Sequence, residues 1–227
     1  MSHGFRGVFV TGTDTGVGKT RVSCALAIGL RQRGLDVGVM KPIETGVDAD
    51  GPQDALALRD ASGSQDPLDE ICPVALALPA APAVAARDAG QPIALDRIER
   101  AFRRLRARHD CVVAEGAGGL LVPVTEALSM ADLARRLGLP LLVVARAALG
   151  TINHTLLTLE AAVARGLPVH GVVLSHAQAL SGEGERLNLG ELRRALGPAL
   201  LGELPHLAPG VPTPRDWIDL ERLVSPS

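Results

Sequence analysis

Apolar positions along this chain fall into two kinds of run. Gly7–Gly12, Asp36–Met40, Asp110–Ala114, Pro140–Ala145, Val169–Ser175 and Ala199–Leu204 are short and apolar, without alternation. They read as buried strands. Between them Lys19–Gly34, Gln53–Ala61, Ala94–His109, Ser129–Gly138, Thr151–Gly166 and Gly184–Leu196 read as helices. Unalternating strands separated by helices predict a mostly parallel sheet with helices on both faces. In Ala94–His109 the stripe Leu95, Ile98, Phe102, Leu105 faces a core, while Asp96–Arg100 and Glu99–Arg103 are i,i+4 pairs on the opposite side. Its arginines therefore read as a solvated face rather than a binding patch. Ser129 is placed to cap the helix that follows it. The stretch 61–90, rich in Ala, Pro and Asp, is the least regular.

Composition narrows the class. The chain has 227 residues, 47% of them apolar and 21% charged, with a net charge of −2. These values exclude a disordered chain and a nucleic-acid binder acting through bulk charge. They fit a single α/β domain over residues 1–227 that needs no disulfide or metal to fold. Three cysteines are an odd number for a disulfide framework. Cys24 and Cys111 sit in apolar runs and read as core; Cys72 has no placement from its neighbours. The start of the chain lacks a signal-peptide core, and the apolar stretch Val74–Ala86 is broken by Pro79 and Pro82. The expectation is a cytoplasmic protein. Aromatics are 2%, with no Tyr and one Trp, so a base stacked between aromatic rings is not expected. Of 23 basic residues only Lys19 and Lys41 are Lys. Where Arg replaces Lys almost everywhere, a retained Lys marks a site needing a compact point charge.

Both lysines sit in motifs. Thr11-Gly12-Thr13-Asp14-Thr15-Gly16-Val17-Gly18-Lys19-Thr20 joins the first strand to the first helix. This is the setting of a phosphate-binding P-loop, whose N–H groups and helix N-terminus cradle phosphate oxygens. Its first glycine stands one place earlier than the strict template requires. Lys19 is expected at the outer phosphates, and the Thr20 hydroxyl is a magnesium ligand candidate. The fold expected is therefore an α/β P-loop NTPase type. Lys41 follows the second strand, in Lys41-Pro42-Ile43-Glu44-Thr45-Gly46, so it projects beside the loop. Glu115 follows the strand Asp110–Ala114 and precedes Gly116-Ala117-Gly118-Gly119. It reads as the acidic partner of the P-loop. Asp54 reads either as a second such carboxylate or as a helix N-cap. Gly150-Thr151-Ile152-Asn153 opens a helix whose free N–H groups suit a carboxylate, although a plain helix start has the same pattern. His154 reads as a packing or capping residue. The sequence shows no metal-ligand cluster, Cys–His pair or nucleophile elbow.

Together these motifs resemble the dethiobiotin synthetases, ATP-dependent carboxylases of biotin synthesis. The matching segments are TGTDTGVGKT (11–20), KPIETG (41–46), DALAL (54–58), EGAGG (115–119), GTINH (150–154) and LGELP (201–205). The resemblance spans nearly the whole chain. It implies a reaction in which diaminopelargonic acid, CO2 and a nucleoside triphosphate give dethiobiotin, the diphosphate and phosphate. It assigns Lys41, with Lys19, to the carbamate and transferred phosphate. Thr15, Lys19 and Thr45 would contact the diamine or carbamate. Gly16, Val17, Gly18, Lys19, Thr20 and Arg21, with Gly116, Ala117 and Gly118, would hold the nucleotide, and Thr20, Asp54 and Glu115 the magnesium. Ser175, His176, Pro205, His206 and Leu207 would lie near the base. The resemblance also implies a homodimer in which Gly150, Thr151 and Asn153 take the substrate's carboxylate across the interface, with no membrane or nucleic-acid partner.

Two departures stand out. Some members carry an acidic residue where this chain has Gly16, and an Asn-Asp pair where it has Ser175-His176. The alternative reading is a partitioning-type ATPase switch, which places a second lysine early in the P-loop. This chain has Asp14 there. A cobyrinate-synthase fragment would need a glutaminase region, for which no Cys here has a suitable setting.

Overall fold

The computed structural model describes residues 4–176, 182–207, 214 and 216–224. Six strands form the central sheet: β1 (Gly7–Gly12), β2 (Val37–Met40), β5 (Cys111–Gly119), β6 (Leu141–Arg146), β7 (Val169–Ser175) and β8 (Leu200–Leu204). Their order is β2-β5-β1-β6-β7-β8, with every pairing parallel. The expected mostly parallel sheet is thus observed.

Along β1, Phe9 packs into one core while Val8 and Val10 pack into the other; Val112 and Ala114 of β5 likewise oppose Cys111 and Val113. Side chains alternate between faces, but both faces are covered, so each strand reads as continuously apolar. One face carries α5 (Leu95–Arg108), α6 (Met130–Leu137), α7 (Thr151–Ala164) and α8 (Glu183–Leu196). The other carries α1 (Lys19–Gln32), α2 (Gln53–Ser62) and the short α9 (Leu220–Val224). Ser129 caps α6 as expected, in a capping box with Asp132. Cys72 and Cys111 are buried and Cys24 half-buried. Burial pushes all three thiols up to about 12.

Three features differ from expectation. First, β5 continues four residues past Glu115, so Glu115 lies within the strand, paired with Val10, and Gly119 still pairs with Gly12. The register with β1 shifts between Glu115 and Gly119, where Gly118 takes a φ of 66°, and the ladder resumes at Gly119. Second, residues 61–90 contain α3 (Leu68–Ile71), β4 (Val74–Leu76) and α4 (Pro82–Asp88). The first strand of a second, two-stranded parallel sheet is β3 (Ile43–Thr45), which pairs with β4. Third, the segment before α9 lies against β8: a Cβ on Gly202 would stand 2.1 Å from the Trp217 carbonyl oxygen, so only glycine fits there. Among the described residues no helix is long and apolar enough to cross a membrane.

Candidate active site

The carboxyl ends of β1, β2 and β5 meet at the start of α1. Gly16 and Gly18 adopt φ of 68° and 97°, the left-handed region that glycine enters without strain. A Cβ on Gly18 would also stand 2.3 Å from Ser175 Oγ. Lys19 is buried, and its ammonium donates to the Asp14 carbonyl at 3.1 Å. Burial, and then the charge of Lys41, lower its pKa to about 8.

Lys41 follows β2 directly. Its Nζ stands 2.6 Å from Asp54 Oδ2 and 2.6 Å from Glu115 Oε1. Burial opposes its charge, but the two carboxylates outweigh burial and raise its pKa above the ordinary lysine value. The same contacts hold Asp54 below the usual carboxylate range, against its own desolvation. Thr20 Oγ1 lies 2.9 Å from Asp54 Oδ1 and 3.0 Å from Glu115 Oε1. Its single proton serves one of them at a time. Glu115 is fully buried, and its Oε2 has no hydrogen-bond partner.

Asp54 is not the cap of α2. Pro52 occupies the N-cap and gives no side-chain bond. The cap comes from Glu44, whose carboxylate accepts from the Asp54 N–H at 2.9 Å and the Ala55 N–H at 3.0 Å. Glu44 escaped the sequence reading because it lies ten residues upstream of Asp54, outside any local capping pattern. Burial raises its pKa, and those two backbone bonds only partly offset the rise.

These groups line one cleft of about 400 Å³, with Thr15, Gly16, Gly18, Arg21, Thr45, Ala117 and Gly118 as its walls. It continues past Thr15, Thr45, Ala117 and Gly118 into a second compartment of about 340 Å³, closed by Pro79–Pro82 and Val122. The segment 61–90 therefore supplies part of the site. Three oxygen-bearing side chains converge in the cleft: Thr20, Asp54 and Glu115. Such a hard-oxygen set suits magnesium, which typically takes one or two carboxylates and completes its shell with phosphates and water. The buried, unpartnered Glu115 Oε2 fits the same role. Among the described residues no group of three or more His, Cys, Asp and Glu is placed to hold a metal.

Other predicted residues lie elsewhere. The Val17 side chain is in the core. Gly116 is buried, and a Cβ there would strike Phe9 and Met130, so this glycine serves packing beneath the cleft. Gly150, Thr151 and Asn153 are on the other side of the phosphate loop from Lys41. Thr151 lines a pocket of about 70 Å³ with Thr13, Asp14, Arg146 and His154. His154 neither packs nor caps. It is exposed, because Thr151 and Thr155 take the inner face of α7.

At the carboxyl end of β7, Ser175 is fully buried and its Oγ has no partner. It underlies Gly18 and does not line the cleft. The His176 ring turns to Glu203, with Nε2 2.8 Å from Oε2. Glu203 in turn takes two bonds from Arg193, at 2.5 and 2.8 Å. Arg21 ties the two strand ends together, donating to the carbonyls of His176 (3.2 Å) and Pro205 (3.0 Å). His206 and Leu207 follow directly. Glu203 and Arg193 were not singled out in the sequence, since an acidic residue in β8 and a basic one in α8 look like ordinary surface charges.

A family model described as an AAA domain matches residues 6–212. The chain is 54% identical over 200 residues to the ATP-dependent dethiobiotin synthetase of Anaeromyxobacter dehalogenans (strain 2CP-C), covering 88% of this chain and 90% of that protein. The Bacillus licheniformis protein of the same name is 39% identical over 227 residues, covering 97% and 96%. The Methanocaldococcus jannaschii one is 44% identical over 172 residues, covering 74% and 78%. The chain belongs to the dethiobiotin synthetase family. More distant likenesses establish the P-loop NTPase-type fold. The signal recognition particle receptor FtsY from Elizabethkingia anophelis, in complex with GDP, has a TM-score of 0.56 at 15% identity, covering 98% of this chain and 65% of that one. The MinC:MinD complex of Aquifex aeolicus has a TM-score of 0.55 at 12% identity, covering 89% and 82%. Against that family background, Asp14 occupies a purely local role: its side chain accepts from the Thr15 N–H at 2.7 Å.

Proposed function

We propose that this chain, acting as a single domain in the cytoplasm, is an ATP-dependent cyclo-ligase. It would convert diaminopelargonic acid and CO2 to dethiobiotin, releasing ADP and phosphate. The observation that carries this reading is the pairing of Lys41 and Lys19 with Thr20, Asp54 and Glu115 at the mouth of the phosphate loop, beside a second compartment walled by Thr15 and Thr45. The names of the relatives support ATP and the dethiobiotin product, and the diamine and CO2 follow from the motif resemblance.

In this reading one amine of the substrate adds CO2 and loses a proton, giving a carbamate. A carbamate oxygen attacks the γ-phosphorus and ADP leaves, which makes a carbamic-phosphoric anhydride. The second amine attacks the carbonyl carbon and gives up a proton, the cyclic urea closes, and phosphate departs with the electron pair of the broken C–O bond. Lys19 neutralises the outer phosphates. Lys41 spreads the negative charge shared between carbamate and phosphoryl group. Thr15 and Thr45 hold the diamine end. Thr20, Asp54 and Glu115 hold magnesium, which supplies charge neutralisation at the phosphates when bound.

The distant carboxylate of the substrate would be taken by Gly150, Thr151 and Asn153 of the second copy in a homodimer. Support comes from the surface of α7 and its approach, where Leu149, Leu157 and Val163 are 74%, 54% and 75% exposed. Such apolar exposure along one helix and the loop before it suits an interface. No membrane or nucleic acid enters this scheme. Phosphate release measured with and without diamine and bicarbonate tests the reading. Release that needs both supports the ligase; release indifferent to both supports a partitioning-type ATPase.

A further inference from the structure

The oxygens that would bind a divalent cation are engaged by groups of the protein itself. Asp54 Oδ2 and Glu115 Oε1 share the Lys41 ammonium at 2.6 Å each. Asp54 Oδ1 and the same Glu115 Oε1 are the acceptors open to the Thr20 hydroxyl. Of the four carboxylate oxygens, only Glu115 Oε2 is without a partner. Lys41 is 3% exposed and Glu115 is 0% exposed, so water does little to screen either charge. Two carboxylates this close would repel strongly if nothing stood between them.

The charge count is equally specific. Lys19 and Lys41 balance Asp54 and Glu115, and the other two charged residues of the cleft, Arg21 and Glu44, balance each other, so the cluster is neutral as it stands. A bare divalent cation would leave two positive charges unbalanced beside two ammonium groups. The same cation bound to a nucleoside di- or triphosphate arrives with anionic oxygens, which give Lys41 a new partner.

We propose that Lys41 is a tethered counter-ion that fills the divalent-cation site of the resting protein and leaves it only when a metal–nucleotide complex enters. This rests on the reading of Asp54 and Glu115 as metal ligands given above. The free protein then binds bare divalent cation poorly. The lysine becomes available to the carbamate only after the nucleotide is in place, so the cation needed by the reaction is withheld until the phosphoryl donor is bound.

Manganese titrated into nucleotide-free protein, followed by electron paramagnetic resonance, tests the proposal. Lys41→Met should bind free manganese at least tenfold more tightly than the wild type. The wild type supplies a second arm that needs no variant to fold. The chain holds only two lysines, so protein carrying 13Cε-lysine gives two lysine signals, and Lys19→Arg assigns them. The Lys41 signal should move on addition of Mg·ADP but stay in place with magnesium alone. Asp54→Asn and Glu115→Gln, titrated with Mn·ADP, keep the two ideas apart. If all three proteins bind Mn·ADP equally, the metal-ligand reading fails and takes this proposal with it. If the two variants bind Mn·ADP more weakly, the metal reading stands. An unmoved Lys41 signal, or free manganese binding no tighter in Lys41→Met, then overturns the counter-ion alone.

Discussion

Glu44 carries Asp54 into the site by its backbone: the Glu44 carboxylate accepts the Asp54 amide at 2.9 Å, and the Asp54 side chain is left free to face Lys41. One motif, KPIETG, thus provides both the ammonium and the anchor for the carboxylate opposite it. Glu44→Ala removes both cap bonds, and a lost helix cap costs about 1 kcal/mol. If Glu44 only capped α2, melting temperature alone would fall. Because it also sets the position of Asp54, the magnesium concentration for half-maximal activity should rise as well. Glu44→Gln keeps one acceptor and should fall between the two.

Lys41→Arg should keep the fold and lose most turnover. The ammonium sits between two carboxylates at 2.6 Å each, in a place 3% exposed. A guanidinium is planar and wider, so it cannot occupy that point without moving both acids. Loss of one preorganised charge donor typically costs about a hundredfold or more in kcat. A kcat near that of the wild type would remove Lys41 from the mechanism.

Asp54→Asn and Glu115→Gln should each raise the magnesium requirement, since each swap removes an anionic oxygen and preserves size. The sequence left Asp54 divided between ligand and N-cap; Pro52 holds the N-cap position and Glu44 does the capping. Asp54→Asn should therefore shift the magnesium titration. A lower melting temperature with an unshifted titration would return Asp54 to a structural role.

Glu203 should make the protein sensitive to acid. Its pKa falls to about 2, first through the hydrogen bond from Arg193, which with that from His176 outweighs desolvation. A carboxyl depressed in the folded state adds stability above its unfolded pKa, and that stability is lost as pH falls through the folded value. The window runs from the ordinary glutamate value of 4.5 down to about 2. Glu203 is partly exposed, so solvent screening leaves only about 1 kcal/mol or less. Urea midpoints measured across that window should drop more steeply for the wild type than for Glu203→Gln. Equal slopes would show that the Arg193–Glu203–His176 chain adds nothing.

The bounds of β1 and β7 were legible because a buried parallel strand announces itself as an apolar run closed by Gly or Ser. The P-loop and Lys41 were legible for a related reason: both sit where a strand ends. Glu115 was placed at the end of its strand, whereas β5 runs on for four more residues. A run of four residues containing three glycines normally ends a strand; here the ladder with β1 breaks after Glu115, with Gly118 at a φ of 66°, and re-forms only where Gly119 meets Gly12. The short strands β3 and β4 left no local pattern, since each has three residues and finds its partner far along the chain. Glu44 and Glu203 share that difficulty. Their roles depend on which amide or guanidinium the fold brings to them, and spacing along the chain does not contain it.

Nucleotide choice is the last consequence. An Asn amide offers a donor and an acceptor on one plane, matching adenine N6 and N7 together. Ser175 cannot replace it, because it is fully buried behind Gly18 and does not line the cleft. His176 cannot either, because its ring is held by Glu203 at 2.8 Å. The carbonyls of His176 and Pro205 already accept from Arg21. A missing bidentate contact removes about 1–3 kcal/mol of discrimination, whereas the phosphate loop reads only phosphates. ATP, CTP and GTP should therefore lie within roughly tenfold to a hundredfold of one another in kcat/KM. Steady-state rates with each nucleotide, at saturating diamine and bicarbonate, decide the matter. A preference for ATP well beyond that range would mean that groups other than Ser175 and His176 read the base, with Pro205–Leu207 the first to test by substitution.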